Sequence, residues 1–111
     1  MQHAIVLFRN RRACTPDCMH DDVYAYRADV INSVHIKRED QSSDKIGLYI
    51  GVDGGGYGCV FRAPKGDEDL VHQIQREVLA VMRDPSSIPE GQITDMVERA
   101  KSRLSNERKK L

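Results

Sequence analysis

The period of the apolar positions changes along the chain. Residues 4–8, Ala-Ile-Val-Leu-Phe, form a short unbroken apolar run, the pattern of a buried strand. Residues 9–22 hold Asn10, Pro16 and several charges and read as a loop. Residues 23–29 satisfy two templates. Val23, Tyr26 and Val30 share a helical face, whereas Tyr24, Tyr26 and Ala28 share a strand face; the valine and tyrosine content favours strand.

The middle of the chain is more sharply patterned. Residues 30–39, 45–52 and 57–63 each read as extended, separated by Asp40-Gln41-Ser42-Ser43-Asp44 and Asp53-Gly54-Gly55-Gly56, both of turn composition. If these turns close hairpins, the second pairs Val52 with Tyr57, Ile50 with Cys59, Leu48 with Phe61 and Ile46 with Ala63. The first pairs Glu39 with Lys45, Ile36 with Leu48 and Val34 with Ile50. Both registers then place Val34, Ile36, Ile46, Leu48, Ile50, Cys59 and Phe61 on one face. A slip of one residue would invert every side chain, so the agreement of two turns of different length favours a meander.

Beyond Pro64-Lys65-Gly66 the period becomes helical. Leu70, Val71, Ile74, Val78, Val81 and Met82 fall on one stripe, with Asp67 at the N-cap and Asp84-Pro85 as the stop, which predicts a helix over 67–84. Ser87-Ile88-Pro89-Glu90 has capping-box form. Ile93, Met96, Val97, Ala100 and Leu104 then make the stripe of a second helix over 88–108. The expected fold is a single α+β domain over residues 1–111. Residues 1–64 are mainly β, an antiparallel meander of about three to five strands, and the two C-terminal helices cover one of its faces.

Length and composition fit that picture. A chain of 111 residues with 40% apolar and 31% charged residues supports one modest core. No apolar run approaches the ~18 residues of a membrane span, and residues 1–9 are too short for a signal peptide. Three cysteines leave one over from any pairing, so a reducing cytoplasmic setting is expected. The 17 basic and 17 acidic residues cancel, and global charge gives no pointer to nucleic acid. Locally the balance differs: residues 97–111 carry six basic side chains against two acidic ones. On a helical wheel Arg99, Arg103 and Lys110 border the apolar stripe on one side, and Lys101 and Arg108 border it on the other. That edge reads either as a docking site for an anionic partner or as a solvated helix end with an Asp95–Arg99 ion pair.

The register also predicts the other sheet face: Ser33, His35, Lys37, Gly47, Tyr49, Gly51, Gly58, Val60 and Arg62. His35 should oppose Tyr49, Lys37 and Arg62 should flank Gly47, and Gly51 should face Gly58. Glycines inside strands weaken them, so three here point to a close approach by a backbone or ligand, or to strong twist. A ring, a histidine and two cations around such a depression suit a phosphate-bearing or nucleotide-like ligand, or single-stranded nucleic acid. The ordinary alternative is a solvated sheet face.

Gly54-Gly55-Gly56-Tyr57-Gly58-Cys59-Val60-Phe61 resembles the glycine-rich loop of protein kinases, G-x-G-x-x-G-x-V, at Gly55, Gly58 and Val60. Asp53 replaces the first glycine, and the other kinase motifs are missing from this chain. Both segments are hairpins that need glycine. Cys14-x3-Cys18-x-His20 offers thiolates and an imidazole as zinc ligands, with Cys59, His3 or His35 as a fourth, against the alternative of free thiols and a surface histidine. No catalytic set stands out. The expected function is a non-enzymatic binding protein (an inhibitor, adaptor or regulator) with no required cofactor. It would act through His35, Lys37, Tyr49, Gly51, Gly58 and Arg62 on the sheet and Arg99 and Arg103 on the last helix. A protein partner is expected first and nucleic acid second; an edge strand also allows a homodimer.

Overall fold

The computed structural model describes residues 3–15, 18–38, 45–64 and 66–109, with the side chains of 11–15, 18–21, 45, 64, 108 and 109 outside that description. The described residues form six strands in two three-stranded sheets and two α-helices, an α+β fold as the sequence predicts. Strands β1 (Ile5–Thr15) and β2 (Cys18–Arg27) make a long antiparallel hairpin. The loop expected over 9–22 is therefore strand. The apolar run ends at Phe8 because only the first part of the hairpin meets the core; Val6, Phe8 and Asn10 point inward and are buried. Tyr26 closes over Phe8 edge-on, with ring centroids 6.4 Å apart. The preference for strand over 23–29 holds as far as Arg27, after which a single 3-10 turn spans Ala28–Val30.

The second sheet is the expected meander: β3 (Ile31–Arg38), β4 (Lys45–Val52) and β5 (Tyr57–Pro64), in the order β3-β4-β5. At the Asp53–Gly56 turn the Val52 N–H donates to the Gly56 carbonyl at 2.9 Å, and Gly54 and Gly55 adopt φ of 94° and 93°, a region that side chains rarely enter. The β3/β4 register is as predicted, with Val34 opposite Ile50, His35 opposite Tyr49 and Ile36 opposite Leu48. The Glu39–Lys45 pairing and the 40–44 turn lie outside the described residues.

The β4/β5 register is correct at only one end. Ile46 opposes Ala63 and Leu48 opposes Phe61, but the ladder then slips so that Tyr49 opposes Cys59, Ile50 opposes Gly58 and Gly51 opposes Tyr57. Val60 is the extra residue of a β-bulge. The predicted Gly51–Gly58 and Ile50–Cys59 pairs are therefore replaced. Val60, expected outside, is 1% exposed in the core, while Cys59 and Tyr57 move to the outer face.

Helix α1 (Glu68–Arg83) lies against the second sheet, burying Val71, Ile74, Val78 and Val81 along the stripe read from the sequence. The second helix begins later than expected. A 3-10 turn over Pro85–Ser87 and the irregular segment after it lead to a short strand, β6 (Ile93–Asp95), parallel to β1, and α2 runs over Met96–Lys109. Its cap is Asp95, whose Oδ1 accepts from the Val97 and Glu98 N–H groups at 3.0 and 3.2 Å. Ile93, placed in the helical stripe by its spacing, pairs with Ile5 instead and is 68% exposed. Helix α2 packs on α1 and β1, so the two helices and both sheets close over one core containing Phe8, Leu48, Ile50, Ile74 and Met96. Burying each such side chain stabilises the fold by roughly 1.5–3 kcal/mol.

Candidate functional site

The outer face of β3–β5 is built in cross-strand rows. Lys37, Gly47 and Arg62 form one row; His35, Tyr49 and Cys59 form the next; Ser33, Gly51 and Tyr57 form the third. The bulge at Val60 is what brings Tyr57 onto this face. Its ring lies 5.7 Å from that of Tyr49, with planes 15° apart, and 6.1 Å from the tilted His35 ring. The Lys37 ammonium sits 5.0 Å from the Tyr57 ring centre and 5.5 Å from that of Tyr49. A hydrogen bond to the Tyr57 side chain, reinforced by its negative potential, holds Lys37 protonated above the ordinary lysine range. Tyr57 nonetheless keeps 51% of its surface in water, and His35, Lys37 and Arg62 are exposed beside it.

The glycines on this face make room for the chain's own side chains. A Cβ on Gly47 would stand 3.0 Å from Cε2 of Tyr49 and 3.3 Å from Sγ of Cys59, so Tyr49 lies across the Gly47 backbone. Ser33 occupies the corresponding space over Gly51. Close approach does explain two of the strand glycines, but an internal neighbour makes that approach. Gly58 opposes Ile50 on the inner side, away from the position expected of it, and no atom lies within 4 Å of where its Cβ would be. Cys59 is a free thiol whose S–H donates to the Phe61 carbonyl at 3.4 Å.

Arg99 and Arg103 of α2 stand elsewhere. Nε of Arg99 lies 3.1 Å and Nε of Arg103 2.6 Å from the two carboxylate oxygens of Glu77 on α1. Glu77 is buried, and Gln73, also buried, donates to it at 3.1 Å while accepting from Arg76. This network joins the helices. It replaces the expected Asp95–Arg99 pair, since Asp95 is engaged as the cap. The structure thus brings together His35, Lys37, Tyr49 and Arg62 with Tyr57, and separates Arg99 and Arg103 from them. Tyr57 and Glu77 were missed in the sequence. Glu77 had a signal: it interrupts the apolar stripe three residues after Ile74 and four before Val81.

The side chains of Cys14, Cys18 and His20 lie outside the described residues. Their backbones fall on the β1/β2 hairpin near its tip, with Thr15 opposite Cys18 and Arg12 opposite His20. Among the described residues no group of three or more histidine, cysteine or acidic side chains is placed to hold a metal ion, and no helix is long and apolar enough to cross a membrane. A groove of about 450 Å³ runs between β1, β5 and the helices. Arg9, Arg62 and Lys101 line it together with Asp67, Asp95 and Glu98, so it offers no single-sign field to a charged ligand. The chain matches no protein-family model, no curated protein and no solved structure.

Proposed function

We propose that this protein is a non-enzymatic binding module whose contact surface is the outer face of β3–β5. The observation that carries this reading is the cluster of exposed Tyr57, His35 and Lys37 around the half-buried Tyr49 on the centre of a sheet. Rings on strands lose little conformational entropy on contact, and tyrosine offers a large apolar area together with a polar tip. Three rings and an ammonium held against one another on this face do nothing for the core, which lies on the opposite side of the sheet. Binding by α2 has less support, because Glu77 already engages Arg99 and Arg103.

The test is capture from a cell extract with the wild-type chain and with the Tyr57→Ala/Lys37→Ala double variant, reading both protein and nucleic acid. A component retained by the wild type and lost by the double variant, with both chains folded at the temperature of the assay, supports the reading. Equal retention by the two chains would remove this face as the binding surface.

A further inference from the structure

We infer that the open edge of β2 pairs antiparallel with β2 of a second copy of this chain. Among the described residues four strands end the two sheets: β2 and β6 in the first, β3 and β5 in the second. Sheets protect such edges with charge, proline, bulges or short length. Three of these four carry a device of that kind. β6 is three residues long. β3 has a bulge at Asn32 and carries Lys37 and Arg38. β5 has the bulge at Val60 and ends on Pro64. β2 runs for ten residues, pairs with β1 without a break from Met19 to Arg27, and holds no proline or lysine. Its stretch Val23-Tyr24-Ala25 is exposed and uncharged, with Val23 45% and Tyr24 38% in water.

The hydrogen-bond pattern shows what that edge offers. The Ile5 N–H donates to the Gln92 carbonyl at 3.0 Å, on the β6 side of β1, and the Ala28 N–H donates to the Ala4 carbonyl at 2.9 Å, on the β2 side. Bonding direction alternates along an antiparallel pair. Tyr26, Tyr24 and Asp22 therefore bond toward β1, and the backbone N–H and C=O groups of Val23, Ala25 and Arg27 point outward. A copy related by a twofold axis through Tyr24 satisfies this edge with its own. Val23 exchanges two backbone bonds with the partner's Ala25, and Ala25 exchanges two with the partner's Val23. Tyr24 stands opposite the partner's Tyr24 in the non-hydrogen-bonded position, where side chains come closest. Asp22 meets the partner's Tyr26, so no like charges of the described side chains face each other. Such a contact is isologous, each strand giving the bonds it receives. The paired stretch, residues 21–27, is only ~24 Å long. It buries less than the ~1,200 Å² of a stable complex, so the dimer is weak and reversible.

The experiment is sedimentation velocity of the full chain at concentrations between about 10 µM and about 1 mM, which bracket a weak dimer. The wild type should pass from monomer towards dimer with a Kd of roughly 0.1–1 mM. Ala25→Pro removes an outward N–H, leaves the ladder to β1 complete, and should weaken the dimer at least about tenfold, with circular dichroism checking its fold. Val23→Lys places on this edge the charge that natural edges use, imposes no backbone constraint, and should weaken the dimer at least about threefold. Ile93→Lys on β6 and Leu79→Lys on α1, two exposed apolar positions away from the edge, should leave the Kd within about twofold. A wild-type chain that stays monomeric throughout overturns the inference. So does a dimer left intact by Val23→Lys or by a folded Ala25→Pro, and so does one that Ile93→Lys or Leu79→Lys abolishes.

Discussion

Two sets of cations in this chain look alike in the sequence and behave differently in the fold. Arg99 and Arg103, four residues apart on α2, converge on one buried carboxylate, Glu77. Lys37, on β3, instead lies over two tyrosine rings at the surface. The first set is part of how the helices hold together. The second is displayed. A basic residue therefore says little about partners until the acid it meets inside the fold is known, and that acid here sits on another helix, 22 residues earlier than Arg99.

The contrast makes its largest prediction at Glu77. Glu77→Gln removes the charge both arginines face while keeping the shape. It should destabilise the protein by about 2–3 kcal/mol in urea unfolding, less than the ~3–5 kcal/mol of a fully buried pair because Arg103 can rehydrate. Lys37→Ala should cost under about 0.5 kcal/mol in the same assay. Similar losses for the two variants would erase the distinction between structural and displayed cations.

Next in size is the packing beneath the displayed set. Gly51→Ala should cost about 1–2 kcal/mol, because Ser33 fills the space its methyl would take. Ser33→Ala should recover most of that loss, since the Ser33 Cβ itself would lie 3.7 Å away, an ordinary contact. A double-mutant cycle showing additive losses would contradict the close approach. Tyr57→Ala should cost about 0.5–1 kcal/mol, the worth of a cross-strand ring pair.

The smallest effect is a titration. The hydrogen bond to Tyr57 raises the Lys37 pKa above its ordinary 10.5. The contact's contribution is therefore present at all pH values below the ordinary range and is lost as pH rises through the higher folded value. NMR titration of the Lys37 ε-methylene should give a midpoint above 10.5 that falls in the Tyr57→Phe variant; a midpoint unmoved by that substitution would contradict the contact.

Much of this was legible in the sequence where turn chemistry and period agreed. The 53–56 turn and the alternation through β3 and β4 gave the His35–Tyr49 pair and the Lys37–Gly47–Arg62 row directly. The bulge was not legible. Tyr57-Gly58-Cys59-Val60-Phe61 alternates well enough for either register, and only the burial of Val60 against the helices chooses between them. That choice moved Tyr57 to the surface and so changed the candidate site. The start of α2 was misread because Ile93 is three residues from Met96 and four from Val97, a helical spacing that arises here by juxtaposition of a strand and a helix. The β1/β2 hairpin beyond Asn10 carried no apolar pattern, and pattern is the signal from which strands are read.

The most direct test of the displayed surface is chemical-shift mapping of the labelled chain during titration with the component that the wild-type chain captures from the extract. The account predicts shifts confined to His35, Lys37, Tyr49, Tyr57 and their neighbours on β3–β5, with the Arg99 and Arg103 side-chain signals unmoved. Shifts centred on α2, with the tyrosine rings silent, would contradict it.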